Sequence, residues 1–138
     1  MTNKFELLVN SFVENNIGIG ENFINPLLAT NLRNNLNQLF LNDQFHLAGT
    51  GMKVNEGAAL FRSDSIHWLD RGHNDEFENL FFDLVDEFVL YLNESCYAGI
   101  KNYEFHYTLY PPGSFYKKHL AQFRNSESRR YSMIMYLN

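Results

Sequence analysis

Apolar residues recur at helical spacing in two segments near the start of the chain. The first predicted helix covers Lys4 to Asn15, and its apolar residues are Phe5, Leu8, Val9, Phe12 and Val13. The second begins at Asn25 and Pro26, a favourable start because Asn caps a helix and Pro fits its first position. Its apolar residues are Leu28, Leu32, Leu36, Leu39 and Phe40. Both segments therefore predict short amphipathic helices.

The third helical pattern is the clearest and covers Asp75 to Leu92, with Asn74 as its predicted cap. Its apolar residues recur every three or four positions: Phe77, Leu80, Phe81, Leu84, Val85, Phe88, Val89 and Leu92. A helix with such a stripe must pack on a large apolar surface. Cys96 follows this pattern, and we interpret it as a small buried residue.

Residues of alternating polarity predict strands, mostly in the last third of the chain. Along Asn102 to Tyr110, alternate side chains point to opposite faces, so Tyr110, His106 and Thr108 share one face. Further strands are predicted over the following segments: Phe115–Ala121, Tyr131–Leu137 and, upstream, Ser65–Leu69. We read Ile17 to Phe23 as a short strand or an extended entry. Helices followed by strands favour an α+β fold.

The size and charge of the chain restrict its class. Its 138 residues suit one domain, and the net charge of −5 argues against a broad nucleic-acid or anionic membrane surface. No stretch approaches a membrane span, no signal-peptide pattern opens the chain, and a cytoplasmic protein is the default expectation. The one cysteine cannot build a thiolate metal site.

Candidate chemistry is concentrated between Tyr110 and Ala121, where a Pro-Pro-Gly turn leads into a strand that presents His119. We interpret His119 as a metal ligand rather than a surface histidine. The nearby bases, Lys117, Lys118, Arg124, Arg129 and Arg130, either attract an anionic ligand or form a solvated strand edge. His106 is either a pocket residue or a satisfied polar residue of an aromatic strand. Trp68 is read as a core residue.

The string of Tyr110, the Pro-Pro-Gly turn, Phe115 and Tyr116, His119, Arg129-Arg130 and Tyr136-Leu137-Asn138 resembles the prolyl-4-hydroxylase-like branch of the Fe(II)/2-oxoglutarate-dependent oxygenases. The resemblance implies helices packed on the first strands of a double-stranded β-helix, or jelly-roll, barrel. In one domain, residues 1–101 would form the helical support with short strands, and residues 102–138 the first barrel strands. The barrel is expected to be truncated at Asn138.

The same resemblance implies an oxidoreductase, a dioxygenase, that hydroxylates a prolyl or other C–H group of a small molecule or peptide. Its cofactors would be Fe(II), 2-oxoglutarate and ascorbate. His119 matches the first metal-binding histidine, and Tyr110, Tyr136 and Tyr116 match residues of the cosubstrate pocket. Ala121 stands where the family carries its carboxylate ligand, and the distal histidine would follow Asn138. We therefore expect weak metal binding and no ordinary hydroxylation.

Three explanations of Ala121 stay open. It is an introduced substitution, a natural loss in a non-catalytic relative, or an open coordination position for chloride, as in 2-oxoglutarate-dependent halogenases. The alternative function is a non-catalytic binding or assembly module. In that case a homodimer or a second chain would cover the apolar edge Tyr131–Leu137, because an exposed edge strand readily pairs with another chain.

Overall fold

A computed structural model describes residues 3–42, 46–47, 65–109 and 131–137. These residues form three α-helices, a 3-10 turn and three strands: α1 (Asn3–Asn15), α2 (Pro26–Leu41), β1 (His46–Leu47), β2 (Ser65–Trp68), the 3-10 turn (Arg71–His73), α3 (Glu76–Cys96) and β3 (His106–Leu109). The α+β class is confirmed. The described residues divide into two compact units, one within 1–35 and 69–105, the other within 36–68 and 106–138.

Local hydrogen bonds mark the start of α2 and the end of α1. The Asn25 side chain accepts from the Leu28 N–H at 2.7 Å, so the predicted cap of α2 is confirmed. α1 ends at Asn15, and the next residue, Asn16, has a left-handed φ of 62° and donates its N–H to the Phe12 carbonyl at 2.7 Å. That single bond is a common way to terminate a helix.

Of the two interpretations of Ile17 to Phe23, the strand is wrong, because this segment pairs in no sheet and contacts α1 instead. The Ile19 N–H donates to the Ser11 hydroxyl at 2.8 Å. Gly18 approaches α1 so closely that a Cβ there would lie 3.0 Å from the Leu8 carbonyl oxygen. The backbone of this segment is thereby fixed against the helix.

α3 is longer than its apolar pattern, and its cap is Asp75 rather than Asn74. The Asp75 carboxylate accepts from the N–H groups of Phe77 and Glu78, both at 2.9 Å. Asn74 instead terminates the 3-10 turn, with a left-handed φ of 54°. Cys96 is the last residue of α3 and is exposed, so the interpretation of a buried cysteine was wrong. No helix in the described ranges is long and apolar enough to cross a membrane.

An aromatic cluster forms the centre of the first unit. Phe5 of α1, Phe23, and Phe88 of α3 pack with ring centroids 5.0 to 5.6 Å apart. The other buried apolar side chains of this unit are Ile24, Leu28, Leu32, Phe81, Phe82 and Val85. Burial of this much apolar surface is the main force that holds helices of different sequence positions together.

The sheet belongs to the second unit and has the order β1-β2-β3, with both neighbouring pairs antiparallel. β3 begins only at His106, although the alternation predicted a strand from Asn102. The reason is aromatic packing in the first unit, where Tyr103 stacks on Phe82 at 6.0 Å and Phe105 packs edge-on against Phe81 at 4.9 Å.

Residues 131–137 form no strand within the described part of the chain, so the strand predicted over Tyr131–Leu137 is wrong there. Exposure nevertheless alternates: the side chains of Tyr131, Ile134 and Tyr136 are exposed, whereas Met133, Met135 and Leu137 are half-buried. A strand also requires a backbone partner, and the described sheet ends at β3. The predicted strand Phe115–Ala121 lies outside the described residues.

Candidate functional site

Most of the predicted site residues lie beyond the part of the chain that the structure describes. This applies to Tyr110, Tyr116, His119 and Ala121, whose roles stay predictions. Tyr136 is described, and its side chain is 82% exposed. A role for Tyr136 in a cosubstrate pocket therefore requires a surface that covers it.

The described element nearest in sequence to this predicted site is β3, which ends at Leu109 and pairs with β2. Trp68 lies directly opposite His106, and Ile66 lies opposite Thr108. Opposed residues of an antiparallel pair project to the same face. Trp68, His106 and Thr108 therefore share one face of the sheet, which we name the Trp–His face. The sequence pattern predicts that Tyr110 belongs to this same face.

His106 is well supported on this face. Its Nδ1 lies 2.8 Å from the Thr108 hydroxyl oxygen, and its ring packs edge-on against the Trp68 indole with centroids 4.9 Å apart and planes at 82°. These contacts favour the interpretation of His106 as a satisfied polar residue of an aromatic strand. They also fix the orientation of the imidazole.

Trp68 differs from the core residue that the sequence predicted. Its side chain is half-buried, and its indole nitrogen is fully shielded from solvent without a hydrogen-bond partner. Such unpartnered buried donors are rare in folded proteins and each needs an explanation.

A complete metal site is not formed by the described residues, which contain no group of three or more His, Cys, Asp or Glu side chains able to hold a metal ion. His67 and His106 lie on neighbouring strands but project to opposite faces of the sheet, given the register. The role of His119 as a metal ligand stays a prediction, because it lies outside the described residues.

A polar cluster that the sequence did not reveal lies in the first unit. Arg71 contacts Asp83 and Asp86 of α3, each at 3.0 Å, and its guanidinium lies 5.2 Å from the Phe82 ring centroid. The Tyr103 hydroxyl donates to Asp86. These carboxylates, above all Asp83, raise the pKa of Arg71 above its ordinary value. In the sequence, the only sign of this cluster is that Asp83 and Asp86 lie three residues apart, on one face of a helix. Nothing in the sequence identifies Arg71 as their partner.

The hydroxyl of Tyr103 is a weaker acid in this cluster than in an ordinary tyrosine, because its pKa is raised. Partial burial, followed by the hydrogen bond and charge of Asp86, raises its pKa to about 12. Burial and a nearby carboxylate both disfavour a phenolate. Because the folded-state pKa lies above the unfolded value near 10, the neutral hydroxyl stabilises the fold below pH 10. This contribution is lost as the pH rises toward 12.

We expect Asp86→Asn to lower the pKa of Tyr103 toward 10, since it removes the carboxylate that disfavours the phenolate. The measurement is an NMR titration of carbon-13-labelled tyrosine between pH 8 and 12. Asp83→Asn is the matched control, because Asp83 contacts Arg71 but not the Tyr103 hydroxyl. Equal shifts of the Tyr103 pKa in both variants would contradict the assignment.

A buried carboxylate marks the start of α3. Glu78 is 3% exposed, and its Oε1 accepts from the Asp70 N–H at 3.2 Å and lies 3.0 Å from the Nδ1 of His73. Hydrogen bonds are what make a buried carboxylate tolerable. The contact with Glu78 gives His73 a structural role. The arrangement ties the 3-10 turn to α3.

Comparison with known proteins gives a structural likeness. No protein-family model matches the chain, and no curated protein does. A crystal structure of a prolyl-4-hydroxylase from Pseudomonas putida is similar to this chain, with a TM-score of 0.75 and 24% sequence identity. The match covers 89% of this chain and 61% of that protein. The chain thus has a prolyl-4-hydroxylase-like fold and spans about three fifths of the length of its neighbour.

Proposed function

We propose that this chain is part of a dioxygenase domain of the Fe(II)/2-oxoglutarate-dependent, prolyl-hydroxylase type. The observation that carries the proposal is the fold likeness over 89% of the chain. The spacing of Tyr110, Tyr116 and His119 is a second, independent support, because it comes from the sequence alone. On this proposal the sheet β1–β3 belongs to a jelly-roll barrel with a helical support, and the substrate is a prolyl or other C–H group.

In the proposed site, His119 contacts the metal, and Tyr110, Tyr116 and Tyr136 line the cosubstrate pocket. When bound, Fe(II) and 2-oxoglutarate would supply the oxidising chemistry, while the protein supplies ligands and orientation. The donors of this chain do not fit an iron site of this type. Ala121 has no donor atom, and the described residues add no cluster of metal ligands. We therefore propose weak iron binding and no ordinary hydroxylation by this chain.

Ala121→Asp is expected to tighten the binding of Fe(II) about tenfold or more, since it adds a charged ligand two residues after His119. The measurement is anaerobic calorimetry with Fe(II) in the presence of 2-oxoglutarate. Asn10→Asp is the matched control: it adds the same charge at an exposed position of α1. Unchanged affinity in Ala121→Asp, or an equal gain in the control, would show that position 121 is not the carboxylate site.

Conversion of 2-oxoglutarate to succinate directly tests the proposal that the iron site is incomplete. The purified chain, given Fe(II), 2-oxoglutarate, ascorbate and proline-containing peptides, is expected to release no succinate above a His119→Ala control. Succinate formation by the unaltered chain would overturn the proposal of an incomplete site. Succinate formed only with chloride present, together with a chlorinated product, would favour the halogenase alternative.

A second candidate function is assembly through residues 131–137. The specific observation is the exposure of three large side chains in seven residues, 60% for Tyr131, 76% for Ile134 and 82% for Tyr136. On this proposal a second copy of the chain covers them, because apolar surface of one copy matches that of the other in a two-fold dimer.

We expect Ile134→Lys to shift the chain toward the monomer, as it places a charge in the centre of the proposed contact. Sedimentation velocity across a hundredfold range of concentration measures this. Leu90→Lys, at a position of α3 that is 57% exposed, is the matched control. A chain that is monomeric at every concentration before substitution would remove the assembly candidate.

A further inference from the structure

We propose that the outward face of α3 binds a basic amphipathic helix of another protein. The inference goes beyond the proposed function, because this face shares no residue with the proposed metal or cosubstrate site. Its side chains fall within an arc of about 80° around the helix axis, at 100° per residue. We name it the acid–leucine face, and its exposed residues are Glu76, Leu80, Asp83, Glu87, Leu90 and Glu94.

Two leucines give the acid–leucine face its apolar contacts. Leu80 is 47% exposed and Leu90 is 57% exposed, whereas Phe81, Val85 and Phe88 of the same helix are buried. A single exposed leucine is common on protein surfaces. These two lie on one face, ten residues and therefore about 15 Å apart. Two apolar contacts at that spacing suit a second helix that lies along α3.

The carboxylates of the face determine the charge of that partner. α3 contains no Lys or Arg. Among the described residues, Asp83 is paired with Arg71 at 3.0 Å, but the three glutamates of the face form no ion pair. A basic partner would supply the missing opposite charges.

The stability of α3 itself does not account for these acids. Asp83 and Glu87 are four residues apart, a spacing at which like charges destabilise a helix. Glu94 lies in the last turn, where the helix dipole disfavours a carboxylate. Binding of a basic helix gives both positions a favourable interaction.

The same charges argue against the two other candidate occupants, a second copy of the chain and a metal ion. The face is symmetric about Val85, with these pairs at equal distances: Glu76 and Glu94, Leu80 and Leu90, Asp83 and Glu87. An antiparallel pairing of two copies would place leucine opposite leucine, but also carboxylate opposite carboxylate, which is unfavourable. The described residues contain no group of three acids, histidines or cysteines able to hold a metal ion.

The probe for this face is a synthetic alanine-based helical peptide of about twenty residues, long enough to cover both leucines. It carries two leucines ten positions apart, with lysines between and beyond them on the same side. Calorimetry on the unaltered chain is expected to show saturable binding that weakens as salt is added. A control peptide with alanine in place of both leucines has the same charge and is expected to bind about tenfold more weakly.

Substitutions in the chain test both parts of the face. Glu87→Lys is expected to weaken binding of the leucine peptide about tenfold. Glu14→Lys, at an exposed position of α1, changes the net charge equally and is expected to leave the affinity unchanged. Leu80→Ala is expected to weaken binding several-fold, and its matched control is Leu7→Ala on α1, where the side chain is 68% exposed.

Leucine-methyl NMR of the unaltered chain locates the contact even if a variant does not fold. The signals of Leu80 and Leu90 are expected to move as the leucine peptide is added. Stationary signals during binding, equal affinity of the two peptides, or equal losses in the two lysine variants would each overturn the proposal. Absence of binding at millimolar peptide would overturn it as well. Self-association of the unaltered chain that Leu80→Ala abolishes would assign the face to a second copy instead.

The proposed function does not depend on any of these results, since none of them involves 2-oxoglutarate or iron. Failure of the docking proposal would therefore leave the proposed dioxygenase-type domain untouched, and a negative succinate assay would leave the docking proposal standing.

Discussion

Replacing Phe88 by Ala is expected to lower the free energy of unfolding by about 3–5 kcal/mol. Phe88 is 9% exposed on α3, and its ring packs against Phe5 at 5.0 Å and Phe23 at 5.2 Å. The substitution removes the ring from the centre of the aromatic cluster and leaves a cavity that three different chain segments line. Since domains of this kind are stable by only about 5–15 kcal/mol, the loss is a large share.

The measurement is urea unfolding followed by circular dichroism at 222 nm, compared at equal protein concentration. Leu90→Ala is the matched control, because Leu90 lies on the same helix but is 57% exposed. Its cost is expected to stay below about 1 kcal/mol, the usual range for exposed positions. Equal losses in the two variants would show that the aromatic cluster is not the centre of the unit.

A double-mutant cycle sharpens the test. Phe5→Ala removes the partner ring from α1, and Phe5 is 4% exposed. Because the two rings contact each other, their effects should not add, and a coupling free energy of about 0.5–3 kcal/mol is expected. Leu7→Ala, at an exposed position of α1, should show no coupling to Phe88→Ala.

The helices were predictable because their apolar spacing is repeated many times over, whereas their ends depend on one or two hydrogen bonds. Asn74 and Asp75 are both good capping residues. The structure distinguishes them because Asn74 has a left-handed backbone and ends the 3-10 turn, whereas the Asp75 carboxylate accepts from two N–H groups of α3. The four residues of α3 beyond Leu92 have no apolar repeat. The first of these four residues, Asn93, exchanges two hydrogen bonds between its side chain and the backbone of Ile100, at 2.8 and 2.9 Å.

The strands were harder to predict than the helices, because alternation does not say what a face will pack against. Tyr103 and Phe105 alternate as a strand would, yet both pack on aromatic residues of α3. Ile17 to Phe23 alternates as well, but its backbone is bound to α1. In each case a tertiary contact outweighed a local preference, as is usual for β propensity.

Only the part of the candidate site that depends on residues close together in the sequence could be predicted. The spacing from Tyr110 to His119 can be read directly from the chain. The contact of Trp68 with His106 joins residues 38 positions apart through the strand register, which no local pattern specifies. The pairing of Arg71 with Asp83 and Asp86 likewise depends on how the turn meets the helix. Convergence of distant residues is what a single sequence does not reveal.

Replacing Glu78 by Ala is expected to lower the free energy of unfolding by about 2 kcal/mol, although no sequence pattern singles out Glu78. Its buried carboxylate accepts from the Asp70 N–H and contacts the His73 imidazole. Hydrogen bonds to charged groups contribute about 1.5–3 kcal/mol each. Part of this loss is offset because Asp70 and His73 are exposed and regain contact with water.

The matched control for Glu78→Ala is Glu76→Ala. Both residues lie in the first turn of α3, so each substitution removes one negative charge from the same helix N-terminus. That interaction is worth about 0.3–1 kcal/mol, and it is the whole expected cost of Glu76→Ala, because Glu76 is exposed. The difference between the two variants in urea unfolding therefore isolates the buried hydrogen bonds. Glu78→Gln, which keeps an acceptor oxygen, should recover part of the loss. If the two Ala variants unfold at the same urea concentration, the buried carboxylate does not stabilise the junction between the turn and α3.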